Sequence, residues 1–203
     1  MPEIADVLDA QFWQRIMKLA HAGLLFFVHL GTPCNTFSSA RKLDNGPPPL
    51  RSKDKPMGLG TLSLDNAALV FLGNMFLARS VELALVVFFT GGDFSIENPL
   101  LSLIWLTPPM RHLTSSARAI DLDLDQCIFG VPSVKPTRLK VSSEFLDDAR
   151  KTCPGDHSHV RLKGQVWEDR RQRMVFRTKL GARIPSRSVR RPGPRRSPAL
   201  ETR

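Results

Sequence analysis

Leu24-Leu25-Phe26-Phe27-Val28-His29-Leu30-Gly31-Thr32-Pro33-Cys34-Asn35-Thr36-Phe37-Ser38 is the stretch on which the fold turns. Its apolar half reads as a fully buried strand, which Gly31 interrupts to deliver Pro33, Cys34 and small polar residues at the carboxyl end. In an open α/β sheet, ligands and reacting groups collect at that edge. Gly31 and Pro33 fix the turn and let backbone approach a ligand, while Asn35, Thr36, Ser38 and Ser39 can cap a helix or hold a phosphate. Cys34 then has two readings, a displayed nucleophile or a small buried apolar residue.

Upstream, Met1 to Ala22 lacks the layout of a secretory signal. Ile4, Val7, Leu8, Phe12, Trp13, Ile16, Met17 and Ala20 recur at helical spacing, so an amphipathic helix is expected from Ile4 to His21, ended by Gly23. Downstream, Arg41 to Gly60 is a Pro/Gly loop carrying Arg41, Lys42, Arg51, Lys53 and Lys55. It either closes over a nucleic-acid backbone or is a mobile surface insertion. Leu64 to Phe89 is apolar enough to invite a membrane span, but Asn66, Asn74, Arg79, Ser80 and Glu82 oppose one. A long helix on the sheet is expected instead, capped near Ser63 or Asp65 and ended by Gly91-Gly92.

Phe94 to Pro99 reads as a short strand that brings Glu97 to the same sheet edge as Cys34; the alternative is a helix-capping turn. Leu100 to Leu106 is a short helix or strand, followed by Pro108-Pro109 and a polar loop. Ile120 to Cys127 alternates apolar and acidic residues, the period of a half-exposed strand, and Lys135 to Val141 forms a second. Together they make an antiparallel hairpin at the far edge.

Gly31 to Ser38 resembles the catalytic Pro-Cys loop of DNA cytosine-5 methyltransferases, and Ile96-Glu97-Asn98-Pro99 resembles their Glu-Asn pair. Ser38-Ser39-Ala40-Arg41, Gly46 to Arg51, Glu97-Asn98-Pro99, Asp125 to Gly130 and Lys135-Pro136-Thr137, in that order, are similar to methylase-like open reading frames of mobile elements and protist genomes. The likeness runs from Leu24 to Arg183. It implies an α/β, partial Rossmann-like methyltransferase fold: a mainly parallel sheet with helices on both sides and a C-terminal antiparallel edge. It also implies S-adenosylmethionine as cofactor, with Pro33 and Asn98 beside it. Cys34 would add to C6 of a flipped-out cytosine, and Glu97 would hydrogen-bond the ring edge. Two departures stand out. The strand and glycine-rich turn that cradle the cofactor do not precede Cys34, so that half lies on a second chain or a lost exon, or the protein does not methylate. The family's Gln-x-Arg-x-Arg strand is also broken, since Cys127-Ile128-Phe129 follows Gln126, which leaves Lys135 and Arg138 as substitutes.

Composition bounds the rest. With 203 residues, 42% of them hydrophobic, the chain supports one sizeable core, assigned to residues 1–183, and a basic tail, 184–203. From Arg161 onward 14 Lys/Arg face Glu168, Asp169 and Glu201, so the formal charge of +10 belongs to the C-terminus. Arg190 and Arg191 lie in an Arg/Pro/Ser run read as disordered, either a nucleic-acid arm or nuclear address or a tail without a role. The partner expected is nucleic acid, DNA before RNA, with no membrane, in the nucleus or cytoplasm. Three cysteines at wide spacing point to a reducing compartment. Cys153, His157 and His159 are zinc-type ligands, and Cys127 could supply a fourth. Their spacing lacks the usual pairs, so no metal is assigned and a loop with His157 or His159 near the catalytic edge is expected. A second functional class remains, a catalytically silent, DNA-binding remnant of a mobile element.

Overall fold

Asp9 starts the first helix: its carboxylate accepts the backbone N–H of Phe12 at 2.7 Å and caps α1 (Ala10–His21). The computed structural model of the protein describes residues 6–42 and 47–160 and the strands Gln165–Glu168 and Arg173–Phe176. The expected helix from Ile4 therefore begins later, because Asp6 and Asp9 both bind backbone N–H groups ahead of it. The basic tail and the boundary at residue 183 lie outside the described residues.

α2 (Leu64–Phe89) is capped by Ser63, and its last turn is closed by Thr90, whose hydroxyl donates to the carbonyls of Val86 and Val87, ahead of Gly91 at φ 91°. By length and composition it could cross a membrane. Its buried residues, among them Leu77, Val81, Ala84 and Val87, instead line the protein core. Trp13, Ile16 and Met17 of α1 pack beside Ala20, Leu83 and Val87. The Arg79 guanidinium lies over the Trp13 ring at 4.9 Å and donates to the Val7 carbonyl.

Four strands make the main sheet: β1 (Phe27–Gly31), β2 (Asp93–Pro99), β3 (Ile120–Asp125) and β4 (Pro136–Val141), in spatial order β1-β2-β4-β3. β1 and β2 are parallel, with Gly31 opposite Glu97, whereas β4 is antiparallel to both β2 and β3. Three strands thus run one way and β4 is inserted against them. The expected antiparallel hairpin at the far edge is present, but the sheet is only partly parallel, with β1–β2 its one parallel pair, rather than mainly parallel. The physical reason is the short connection from Asp125 to Pro136, which leaves no room for the dozen or more residues that a parallel crossover needs. β1 is also an edge strand rather than a fully buried one, with His29 and Gly31 exposed.

The charges of β3 and β4 fix the hairpin register. Asp121 sits opposite Lys140 and Asp123 opposite Arg138. Arg138 grips Asp123 through two bonds of 2.7 and 2.8 Å and reaches Asp121 at 2.9 Å, while the nearly buried Lys140 pairs with Asp121.

The expected polar loop after Leu106 is instead α3 (Pro108–Ala117), with proline at its first positions and Met110, Leu113 and Ala117 buried. It and α2 cover Phe94 and Ile96 of β2. Among the described residues the three α-helices share the face that Val28 and Leu30 present, and on the opposite face the short 3₁₀ helix Glu144–Ala149 sets Phe145 edge-on to Phe27 at 5.2 Å. Helices on both sides are expected from the sequence; among the described residues all three α-helices lie on one face.

Over residues 47–60 the Pro/Gly loop is packed into the fold and is not a mobile insertion; residues 43–46 lie outside the described residues. Leu50 and Arg51 are 1% and 2% exposed. Arg51 donates to Thr36 Oγ1 at 2.9 and 3.2 Å, to the Pro56 and Val70 carbonyls at 2.9 and 3.2 Å, and to Asn74 Oδ1 at 2.8 Å. Its guanidinium also stacks 3.7 Å from the Phe37 ring centre. Gly73 makes room for it: a Cβ there would come within 2.7 Å of Thr36 Oγ1 and 2.9 Å of Arg51 Nη2. Gly73→Ala should lower the unfolding free energy by about 1 kcal/mol, overpacking outweighing a helix-propensity gain of about the same size. Arg51→Met should cost about 3 kcal/mol by orphaning several buried acceptors. Urea unfolding checks both, and a neutral Arg51→Met would refute the assigned role.

Candidate active site

β1 hands the chain directly to Thr32-Pro33-Cys34, and the loop is anchored on either side of the thiol. Ahead of it, the buried Thr32 donates its hydroxyl to Ser80 of α2 at 2.9 Å and accepts Asn98 Nδ2 at its carbonyl at 2.7 Å. Behind it, Thr36 is held by Arg51, and the Phe37 ring is fully buried. The Cys34 carbonyl accepts the Phe37 N–H at 3.0 Å, closing a tight turn. Cys34 itself is half-buried, with exposed Pro33 and Asn35 beside it.

The parallel register brings Glu97 to the same edge, since its partner Gly31 lies three residues before Cys34. Because β3 runs the same way, its exit residue Gln126 arrives there too, as does Lys135 at the entry of the reversed β4. Gln126 Nε2 donates to Thr137 Oγ1, which donates to the Lys135 carbonyl, both at 3.0 Å. Lys135 has φ 40°, a left-handed conformation uncommon for a side-chain-bearing residue. Ser38, Ser39, Pro99 to Ser102 and Pro136 enclose a cleft of about 180 Å³ in the same region.

Electrostatics bias the thiol in opposite directions. Burial pushes the Cys34 pKa up and the Glu97 carboxylate pushes it further, while Lys135 and a backbone hydrogen bond pull it down. Glu97 Oε1 and Asn98 Oδ1 are both buried without a hydrogen-bond partner. Buried acceptors are seldom left this way; consecutive strand residues face opposite sides of the sheet, so it is the Glu97 oxygen alone that suits a ligand bringing a hydrogen-bond partner to this edge.

Of the residues singled out in the sequence, Cys34, Glu97, Asn98 and Lys135 come to one edge. Asn98 is fully buried, and its amide N–H pins the Cys34 loop through the Thr32 carbonyl. Arg51 and Arg138, expected to meet a nucleic-acid backbone, are committed inside the fold: Arg51 by burial, and Arg138 by Asp121 and Asp123, with the Asp123 bond first in raising its pKa. Arg41 is half-buried and donates to the Pro48 carbonyl at 2.9 Å. Arg190 and Arg191 lie outside the described residues. Cys153, His157 and His159 gather around Cys127 rather than Cys34. Thr32 and Ser80, which hold the loop, carried no periodic signal that marked them as a pair.

Protein-family models, curated proteins and solved structures were compared with the chain, and none matches.

The opposing charges give a test with defined signs. Glu97→Gln should speed alkylation of Cys34 by iodoacetamide at pH 8 several-fold, and Lys135→Met should slow it, each read at Cys34 by peptide mass spectrometry. Equal rates in all three proteins would mean that neither charge reaches the thiol.

Proposed function

We propose that this chain is the base-addition half of a cytosine-5 methyltransferase-like protein acting on DNA. The observation that carries the reading is the meeting of Cys34 and Glu97 at the ends of neighbouring parallel strands, with buried Glu97 Oε1 lacking a partner. A thiolate at Cys34 would add to C6 of a flipped-out cytosine, and the Glu97 carboxyl would hydrogen-bond the ring edge and pass a proton to N3, where the electron pair displaced by that addition collects. Lys135 pulls toward the thiolate, against the larger upward push of burial and of Glu97, so the addition needs the Cys34 proton to be drawn off as the base binds.

The support for this reading comes from base-addition groups among the described residues and not from a site for S-adenosylmethionine. No strand and glycine-rich turn precede the Cys34 loop among them, because α1 leads into β1. The place open to a cofactor half is the free side of β1, which pairs only with β2 among the described residues and has exposed Leu24 and Phe26 just ahead of it. A second chain adding there would complete the enzyme. The lack of that turn equally favours an inactive remnant, the second reading.

Thiol addition alone separates the two. A DNA oligonucleotide carrying pyrimidin-2-one accepts a thiol at C6 without methyl transfer. The folded wild-type chain should form a covalent adduct visible on a denaturing gel. Cys34→Ala should abolish it and Glu97→Gln should slow it at least tenfold. No adduct from folded wild-type protein would leave the remnant.

A further inference from the structure

Cys127, Cys153, His157 and His159 each offer one ligand atom, and these four atoms lie within 4.8 Å of one another. Cys153 Sγ is 3.4 Å from His159 Nε2 and 3.8 Å from His157 Nε2, and the two Nε2 atoms are 2.9 Å apart. A tetrahedral zinc with Zn–S of about 2.3 Å and Zn–N of about 2.0–2.1 Å has ligand-to-ligand edges of roughly 3.3–3.8 Å. We propose that these residues form a structural Zn²⁺ site of the Cys₂His₂ type, which fastens the segment 151–160 to the end of β3.

Three further features suit a metal. Asp156 Oδ1 lies 2.7 Å from His157 Nδ1, the carboxylate–imidazole arrangement that turns the other ring nitrogen toward an ion. The Gly155 N–H donates to Cys153 Sγ at 3.4 Å, which offsets charge on a thiolate, and Gly155 takes φ 77° to turn the chain there. Asp125 Oδ2 accepts the Cys153 N–H at 2.8 Å, and the Asp125 N–H donates to the Lys151 carbonyl at 2.9 Å, so the ligand loop is docked on the strand that leads to Cys127. Four protein ligands close the coordination shell, the mark of a structural rather than a catalytic zinc. Cys127 is buried and all three cysteines are free, so both thiols are available as ligands.

The site is independent of the methyltransferase reading, and so is its test. Untagged full-length protein, purified without chelator, should carry about one zinc per chain by elemental analysis. Removing the zinc should lower the thermal midpoint. Metal-stripped protein titrated with Co²⁺ should show thiolate-to-cobalt charge transfer and the intense visible bands of tetrahedral cobalt, saturating near one equivalent. Cys153→Ser and His159→Asn should each lose stoichiometric zinc, whereas His112→Asn, at an exposed histidine on α3, should keep it. If the ligand variants fail to fold, the cobalt titration of the wild type decides. Wild-type protein with neither zinc nor the cobalt bands, or a Cys127–Cys153 disulfide found by non-reducing peptide mapping, would overturn the proposal.

Discussion

A buried guanidinium with no carboxylate beside it is the constraint around which this fold is arranged. Burial draws the Arg51 pKa down to about 10, so the group is still charged at neutral pH and must be satisfied by neutral acceptors. Those come from three places: Thr36 in the cysteine loop, the carbonyl of Pro56, and Val70 and Asn74 on α2. One side chain therefore couples the thiol's turn, the proline-rich connection and the longest helix. Gly73 is where the helix gives way to let this happen.

The remaining basic residues of the described sheet are used in the same inward sense. Arg138 and Lys140 face Asp121 and Asp123 across the β3–β4 ladder, so charges that composition alone would assign to a polyanionic partner set strand register instead. Such a ladder is half-exposed, and its contribution lies in choosing one pairing over its neighbours more than in raw stability. What is left at the strand ends is a sparse constellation of one thiol, one lysine and one carboxylate with an unpartnered buried oxygen.

Much of this was legible in the residues themselves. The alternation of Ile120 to Asp125, the Ser63 cap and the delivery of Cys34 and Glu97 to one edge followed from period, capping chemistry and strand polarity. The insertion of β4 between β2 and β3 did not, because pairing order depends on connection length and on which strands offer a free side. α3 was missed because Pro108-Pro109 were read as a breaker, although proline at a helix start is favourable and Met110, Leu113 and Ala117 keep the helical stripe. Arg51 was misjudged because nothing in a polar loop marks which arginine will be covered. The Cys127 partnership was visible only as a possibility, since its ligands come from separate turns rather than from paired spacing.

The edge position of β1 has a kinetic consequence. His29 meets Ser95 across 66 residues of chain, so the two catalytic candidates come together only after a long loop has closed over α2. An edge strand with one partner is also among the first elements to detach in a native-state fluctuation. Each such opening would expose the thiol and separate it from Glu97 at once. The reactivity of Cys34 is therefore tied to the breathing of the sheet margin.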